Sequence, residues 1–326
     1  MKNSCHFFEF LHATQVITLA LLALTAIAII SPVKAEAGVL PFNQEELNSQ
    51  QQDSFRVMSF NILYGTADDK ENAWSLRREL VFDIINEYQP QLIGVQEALN
   101  FQLEEIVKKL PEYAYIGVGR DDGKKKGEFS AILYLKDRYN IISHETYWLS
   151  DTPGLVGSKT WGNTLPRIVT WAKLEDTQLN RELYLYNTHF DHQSQPSREK
   201  SALKLAKKVL SRDDGRIPAV ITGDFNAGEY NSVIRYLVED QPITMSSGES
   251  LTNPHPFKDT FRTRHPEAVK VGTSNRFEGY AVGEKIDYIF ISGNLSTISA
   301  MIIRDNTQGR YPSDHFPVIA DLTFLQ

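Results

Sequence analysis

The sequence pattern of this chain is centred on the stretch Ile221-Thr222-Gly223-Asp224-Phe225-Asn226. The apolar, β-branched run before it, residues 217–221, is typical of a buried strand, and residues 230–239 after it form a predicted helix. Asp224 and Asn226 are two residues apart, so at the end of a strand both side chains can face the same side. Such oxygen-bearing side chains suit a hard cation or a water that must be deprotonated. Gly, Asp and Asn favour a plain turn equally well, and this stretch alone leaves both interpretations open.

Length, composition and charge limit what the protein can be. A chain of 326 residues with 41% hydrophobic and 23% charged side chains has room for one large α/β domain or two small ones. Its single cysteine, Cys5, lies within residues 1–35, so the rest of the chain can form no disulfide. Without residues 1–35, which carry two lysines and one glutamate, the formal net charge of −7 becomes −8. This charge argues against binding nucleic acid by charge alone but leaves contact through a bound cation open.

The first 35 residues have the pattern of a targeting segment. Lys2 opens a short polar region, Val16 to Ile30 is apolar apart from two threonines, and Val33-Lys34-Ala35 supplies side chains that suit signal peptidase. Because the apolar run is short for a membrane span, we predict a signal peptide over residues 1–35 and no membrane span in the mature chain. The protein is then secreted or periplasmic. The alternative is an uncleaved signal anchor that tethers it to the membrane.

The remaining chain is predicted to form a linker or N-terminal arm at residues 36–53 and one catalytic domain at residues 54–326. Helices are predicted at residues 74–88, 101–110, 197–210 and 230–239. Strand-like segments are residues 55–62, 92–95, 113–118, 131–135, 141–148, 168–174, 183–187, 217–221, 285–291, 298–303 and 318–322. The predicted buried stripe of the first helix contains Trp74, Arg78, Val81, Phe82, Ile85 and Tyr88. Mostly antiparallel strands with flanking helices predict an α/β fold of two packed β-sheets covered by helices.

Polar residues recur where the predicted strands begin or end. They are Asn61, Glu97, His189, Asp224, Asn226, Asp287, Asp314 and His315. Single residues have structural alternatives: Asn61 can cap a turn, Glu97 can pair with a lysine, His189 can be a half-buried histidine with ordinary partners, and Asp314-His315, between Pro312 and Pro317, can be a plain loop. Because strand ends converge at one rim of a sheet, their recurrence predicts a shared site.

The same residues, in the same order, resemble the motifs of the endonuclease/exonuclease/phosphatase superfamily. The motifs are Ser-Phe-Asn-Ile around Asn61, Gln96-Glu97, Asn187-Thr188-His189-Phe190, Gly223-Asp224-Phe225-Asn226, Lys285-Ile286-Asp287-Tyr288 and Ser313-Asp314-His315. The resemblance covers about residues 54–325. The segment Gly119-Arg120-Asp121-Asp122-Gly123, followed by Gly127-Glu128, is similar to a subgroup of exported bacterial members. The resemblance implies a DNase I-like four-layer α/β sandwich, in which two mainly antiparallel sheets are flanked by helices.

The resemblance also implies a metal site and a nucleophile. Members of this family cleave phosphodiesters or phosphomonoesters with a divalent metal, usually Mg²⁺, and Mn²⁺ is the alternative. By that pattern Glu97 would hold the metal, with Asn61 and Asp314 near it. Asp224 would orient and deprotonate the attacking water, with Asn226 beside it.

The remaining implied roles concern the phosphoryl group. His189 and His315 would bond its oxygens, and Asp287 would fix the tautomer and charge of His315. Substrate contacts are expected from His189 and Asn226. Arg120 is a candidate to hold a second phosphate, with a solvated loop as the alternative.

We therefore predict an exported, monomeric, metal-dependent phosphoesterase, first of all a phosphodiesterase or nuclease whose substrates include nucleic acid. The alternatives at the same site are a phosphomonoesterase and a phospholipid or sphingomyelin head-group phosphodiesterase. A non-catalytic binding module on this fold is the alternative from another class, but the acid, base and ligand positions are all filled. The acidic charge and the neutral or acidic loop at residues 246–257 weigh against the nuclease.

Overall fold

The computed structural model describes residues 54–239, 241–245 and 247–325, so the predicted signal peptide and linker lie outside the described residues. The regular elements along the chain are β1 (Ser54–Asn61), α1 (Trp74–Tyr88), β2 (Leu92–Ala98), α2 (Asn100–Lys109), β3 (Tyr113–Ile116), β4 (Phe129–Leu135), β5 (Tyr139–Trp148), β6 (Ile168–Asp176), β7 (Arg181–His189), α3 (Gln195–Leu210), β8 (Ala219–Asp224), α4 (Ser232–Val238), β9 (Ile243–Thr244), β10 (Ser250–Leu251), β11 (Lys258–Asp259), α5 (Thr260–Arg264), β12 (Asp287–Ser292), β13 (Leu295–Ile302) and β14 (Val318–Phe324).

Two six-stranded sheets carry the fold of the described residues. Their strand orders are β13-β14-β1-β2-β4-β3 and β11-β12-β8-β7-β6-β5, and β9 pairs with β10 separately. The pairs β1–β2 and β7–β8 are parallel, and the other neighbours are antiparallel. The predicted fold of two mainly antiparallel sheets is confirmed.

Alternation of side chains along the strands creates three apolar layers. In β1, Val57 belongs to the core between the sheets and Met58 to the core beneath α1 and α2. In β8, Val220 belongs to the core between the sheets and Ile221 to the core beneath α3 and α4. Helices therefore cover both outer faces, which makes the four layers of the predicted α/β sandwich.

Helix α1 buries a different arginine from the predicted one. Trp74, Val81 and Phe82 pack inward as expected, but the buried arginine is Arg77, and the side chain of Arg78 is 40% exposed. The prediction for Arg78 is wrong because the guanidinium of Arg77 finds buried carbonyl acceptors, which allow a charged side chain on the inner face.

No helix within the described residues is both long and apolar enough to cross a membrane.

The two sheets come very close at Gly94 in β2. A Cβ atom added there would lie 2.0 Å from Thr222 Oγ1 and 2.6 Å from Asn187 Oδ1. Asn187 Oδ1 accepts hydrogen bonds from Gln96 Nε2 (2.6 Å) and Thr222 Oγ1 (3.1 Å), while its Nδ2 donates to two backbone carbonyls of the first sheet. Gln96 Nε2 also donates to Ser59 Oγ at 3.2 Å. This buried polar network joins the sheets directly behind the strand ends.

Candidate active site

Three of the predicted site residues lie side by side at one end of the second sheet. His189 ends β7, Asp224 ends β8 and Asp287 begins β12. In the sheet, His189 is the parallel neighbour of Asp224, and Asp287 is its antiparallel neighbour. All three are buried. Strand pairing alone therefore brings residues together that are about a hundred positions apart in the chain.

The first sheet contributes Asn61 and Glu97. Asn61 Nδ2 donates to Glu97 Oε1 and to Asp224 Oδ2, both at 3.0 Å, and so links the two sheets. Glu97 lies where the pairing of β2 with β4 shifts register, and its φ is 61°. A left-handed backbone is unusual for glutamate, and such bulges redirect a side chain beside functional sites. Here the bulge directs the carboxylate of Glu97 towards Asn61.

The carboxyl group of Asp224 is the centre of the site. Its Oδ1 accepts from the backbone N–H of Asn226 at 2.9 Å. Its Oδ2 lies 3.6 Å from His189 Nε2 and 3.9 Å from His315 Nδ1. Burial, and then the nearby carboxylate of Asp287, raise the pKa of Asp224 to about 7. A carboxyl group with such a pKa can accept a proton from water near neutral pH.

His315 forms an ion pair with Asp287. The distance from His315 Nδ1 to Asp287 Oδ2 is 2.8 Å, and both side chains are buried. Burial opposes protonation of His315, but the carboxylate of Asp287 outweighs it and raises the pKa of His315 well above its usual value. His315 is therefore a cation at neutral pH and can stabilise negative charge in its vicinity.

His189 has the opposite electrostatic environment. Burial, followed by the charges of Arg167 and Arg120, lowers the pKa of His189 well below its usual value. Asn226 Nδ2 donates to His189 Nε2 at 2.9 Å and to the carbonyl of Phe190 at 3.1 Å. His189 is therefore neutral, and its Nδ1 has no hydrogen-bond partner among the described residues.

The oxygen-bearing side chains fit a hard divalent cation. Two clusters of side chains each have ligand atoms within 4.8 Å of one another. The first cluster is Glu97, His189 and Asp224, and the second is Asp224, Asp287 and His315. In the second cluster the imidazolium of His315 cannot act as a ligand. The first cluster offers the carboxylate oxygens that Mg²⁺ and Mn²⁺ prefer. The carboxamide of Asn61 lies against these carboxylates through Nδ2, while its Oδ1 accepts from the N–H of Leu63 at 3.0 Å.

Asp314 lies close to this cluster in the fold but outside it. Ser313 Oγ donates to the carbonyl of Asn61 at 2.7 Å and to Asp314 Oδ1 at 3.2 Å. The backbone N–H groups of Asn275 and Arg276 donate to the carbonyl of Asp314 at 2.6 and 3.0 Å. The segment that carries Asp314 is thus fixed beside the end of β1, although its carboxylate belongs to neither convergent cluster of the described residues.

Arg120 is part of the site as one half of a buried ion pair. It is 6% exposed, which excludes the solvated-loop alternative. Its Nη1 and Nη2 donate to Glu128 at 2.7 and 2.6 Å, and Glu128 Oε2 lies 4.0 Å from His189 Nδ1. Burial raises the pKa of Glu128 to about 7 although Arg120 opposes this. Sequence reasoning assigned no role to Glu128, and its only signal was the Gly127-Glu128 pair after Arg120.

Comparison with known proteins places this site in a family. The profile described as "Endonuclease/Exonuclease/phosphatase family" matches residues 58–315. The crystal structure of an endonuclease/exonuclease/phosphatase from Bacteroides vulgatus is 33% identical, with a TM-score of 0.74 over 83% of this chain and 99% of that one. A mannosyl-6-phosphatase from Bacteroides thetaiotaomicron is 30% identical, with a TM-score of 0.71 over 83% of this chain and 100% of that one.

A curated relative is more distant. Nocturnin from Mus musculus is 23% identical over 302 residues, which are 82% of this chain and 65% of nocturnin. The chain thus spans slightly less than two thirds of that relative's length. Because the profile match extends over most of the chain and the two-sheet fold agrees with it, this protein belongs to the endonuclease/exonuclease/phosphatase family of phosphoric ester hydrolases.

Proposed function

We propose that this protein is a Mg²⁺-dependent phosphoesterase that hydrolyses a P–O bond by direct attack of water. The observation that carries the proposal is the position of Asp224. Its carboxyl group, with a pKa of about 7, accepts a hydrogen bond from Asn61 Nδ2, which also donates to the candidate cation ligand Glu97, and its Oδ2 lies 3.9 Å from Nδ1 of the His315 imidazolium. The proposed base Asp224 thus lies close to the cationic His315 and to the candidate cation ligand Glu97.

In this mechanism Asp224 accepts the proton of the attacking water. The N–H of Asn226 and the amide of Asn61 hold the carboxyl group of Asp224 in place. The imidazolium of His315, kept charged by Asp287, faces the negative charge that develops on the phosphoryl oxygens. Glu97 would hold a divalent cation, which would supply further charge neutralisation of the phosphate.

The first candidate substrate is a phosphodiester, with nucleic acid included. A phosphomonoester is the second candidate, and a specific observation favours it. The structure related at 30% identity is a mannosyl-6-phosphatase, and the acidic charge of this chain disfavours a polyanionic partner. Manganese is the alternative cation at the same oxygen ligands.

The test is hydrolysis of bis-p-nitrophenyl phosphate and p-nitrophenyl phosphate by the purified chain, with Mg²⁺ and then with EDTA. We expect Mg²⁺-dependent release from at least one ester, and the preferred ester distinguishes a diesterase from a monoesterase. Asp224→Asn should remove the activity because a carboxamide cannot accept the proton of the attacking water. The proposal is contradicted if the rates with EDTA equal those with Mg²⁺. It is also contradicted if the protein hydrolyses neither p-nitrophenyl ester and none of DNA, RNA, sphingomyelin and sugar phosphates.

Export is part of the proposal and rests on the pattern of residues 1–35. A cleaved signal peptide releases a chain that begins at Glu36. N-terminal sequencing of the protein from the periplasm or medium of its host checks this. A cell-associated protein that retains residues 1–35 supports the signal anchor instead.

A further inference from the structure

Helix α1 carries a buried cation whose contacts differ from those of an ordinary ion pair. Arg77 is 1% exposed, and within the described residues no carboxylate lies at ion-pair distance from it. Its guanidinium instead donates to four backbone carbonyls, those of Asn72 (2.8 Å), Ile62 (2.6 Å), Leu63 (2.8 Å) and Pro312 (2.9 Å). The hydrogen bonds of Arg77 are thus directed at main chain.

Three of these four carbonyls belong to the two segments that carry the predicted metal ligands Asn61 and Asp314. Ile62 and Leu63 directly follow Asn61, and Pro312 lies two residues before Asp314. The ring of Phe277 lies 5.8 Å from the guanidinium, in the segment whose neighbouring N–H groups hold the carbonyl of Asp314. Arg77 therefore contacts three segments that lie next to Asn61 or Asp314.

The free-energy cost of burying Arg77 without a counter-ion indicates that its hydrogen bonds serve a function. A buried charge without a counter-ion is expensive, and an apolar side chain would fill the same place on α1 at lower cost. The flat, forked guanidinium is the side-chain group that can hold several carbonyls in one fixed geometry. Burial lowers the pKa of Arg77 to about 10, opposed by the negative charges of Asp314, Asp69 and Glu97, so Arg77 stays charged at neutral pH.

We propose that Arg77 is a positioning residue of the cation site, which fixes the backbone that follows Asn61 and precedes Asp314 and so holds the side chain of Asn61 against Glu97. The inference rests on the proposed function. Two effects of Arg77 on a bound cation oppose each other: it orders the ligands, and its charge repels the cation. Ordering dominates, because three hydrogen bonds act directly on the segments beside Asn61 and Asp314 while the guanidinium charge is partly balanced by the carboxylates around it.

The experiment measures cation affinity directly and does not depend on turnover. Mn²⁺ is titrated into the EDTA-stripped protein and followed by electron paramagnetic resonance, and Mg²⁺ binding is followed by calorimetry. Arg77→Lys keeps the charge and loses the fork, whereas Arg77→Met loses both. The matched control is Arg138→Lys, because Arg138 is also buried and bonds Asp176 (2.9 Å) and the carbonyl of Ser54 (3.1 Å), at the opposite end of β1 from Asn61.

We expect Arg77→Lys and Arg77→Met to weaken Mn²⁺ binding roughly 10- to 100-fold, the usual effect of losing a group that orients metal ligands. Arg138→Lys should change stability and leave the affinity unchanged. Phe277→Leu, which removes only the ring beside the guanidinium, should weaken binding less than Arg77→Lys does and provides a folded variant if Arg77→Met does not fold.

Wild-type affinity in Arg77→Lys overturns the inference. Tighter binding in Arg77→Met also overturns it, because repulsion by the charge would then dominate. In both cases a wild-type protein that binds Mn²⁺ and hydrolyses phosphate esters leaves the proposed function intact. A wild-type protein that hydrolyses these esters without binding any cation contradicts the proposed function itself, and the inference with it.

Discussion

Replacement of Gly94 by alanine should damage both the fold and the site. The added methyl group would lie 2.0 Å from Thr222 Oγ1, 2.6 Å from Asn187 Oδ1 and 2.7 Å from Thr222 Cβ, where a contact needs more than 3 Å. Asn187 cannot withdraw, because its Nδ2 is bonded to the carbonyls of Val95 (2.9 Å) and Ala131 (2.8 Å). The sheets must therefore separate, or the polar network must break.

The size of the effect follows from this overlap. Insertion of one methyl group into a packed core costs about 1–3 kcal/mol, and a contact at 2.0 Å between rigid strands places Gly94→Ala at the upper end of that range. In a domain of this size each kcal/mol lowers Tm by about 2–4 °C. Because Asn187 and Gln96 lie one or two residues before His189 and Glu97, we expect activity to fall as well.

Urea unfolding of the purified chain tests this, and Gly215→Ala is the control. A Cβ at Gly215 meets nothing within 4 Å, so that variant should stay within about 0.5 kcal/mol of the wild type. Thr222→Ala in the Gly94→Ala background removes the nearest oxygen and should recover part of the loss, a coupling that a double-mutant cycle detects. An unfolding midpoint of Gly94→Ala equal to that of Gly215→Ala would show that the sheets are not in contact at this position.

Three further predictions concern the site. Glu97→Ala should raise the Mg²⁺ concentration for half-maximal activity about tenfold or more, measured by titration of the EDTA-stripped enzyme, and an unchanged titration would remove Glu97 from the ligands. Asp287→Asn should lower the rate ~10²–10³-fold and move the alkaline limb of the pH–rate profile to lower pH, because the carboxylate of Asp287 is what raises the pKa of His315; an unmoved limb contradicts this. The pKa of Glu128 is raised from 4.5 to about 7, so its contribution to stability is present below pH 4.5 and is lost as pH rises through 7. Glu128→Gln should flatten that part of the curve of unfolding free energy against pH. An unchanged slope would show that a group other than Glu128 titrates there.

Local pattern was enough to predict the layers of this fold and the rim where its polar residues meet. The alternation of Val57 and Met58, or of Val220 and Ile221, assigns each side chain to an inner or outer face. Since strand ends of one sheet meet at one edge, Asp224 could be predicted to lie in a shared site before any pairing was known.

The rest depended on contacts between segments far apart in the chain. The left-handed φ of Glu97 arises from a shift in its pairing with β4, and no local pattern predicts that shift. The choice of Arg77 over Arg78 depends on where the carbonyl of Pro312 lies. Likewise, Gly94 is needed because Thr222 of the other sheet approaches it, which is visible only once the sheets are packed.

The two histidines of the site differ in charge, since His315 is a cation and His189 is neutral, although sequence motifs alone implied the same role for both. His315 is paired with Asp287 at 2.8 Å, while His189 faces the field of Arg120 and Arg167 and accepts a hydrogen bond from Asn226. A phosphate that approaches Asp224 therefore meets a cation on one side and a neutral ring on the other. If both rings were charged, they would lower the pKa of Asp224 so far that its carboxylate could not take a proton from water. With one neutral ring, the pKa of Asp224 can stay near 7. In the mechanism we propose, this asymmetry between the histidines lets Asp224 act as the base while His315, whose Nδ1 lies 3.9 Å from Asp224 Oδ2, stabilises charge.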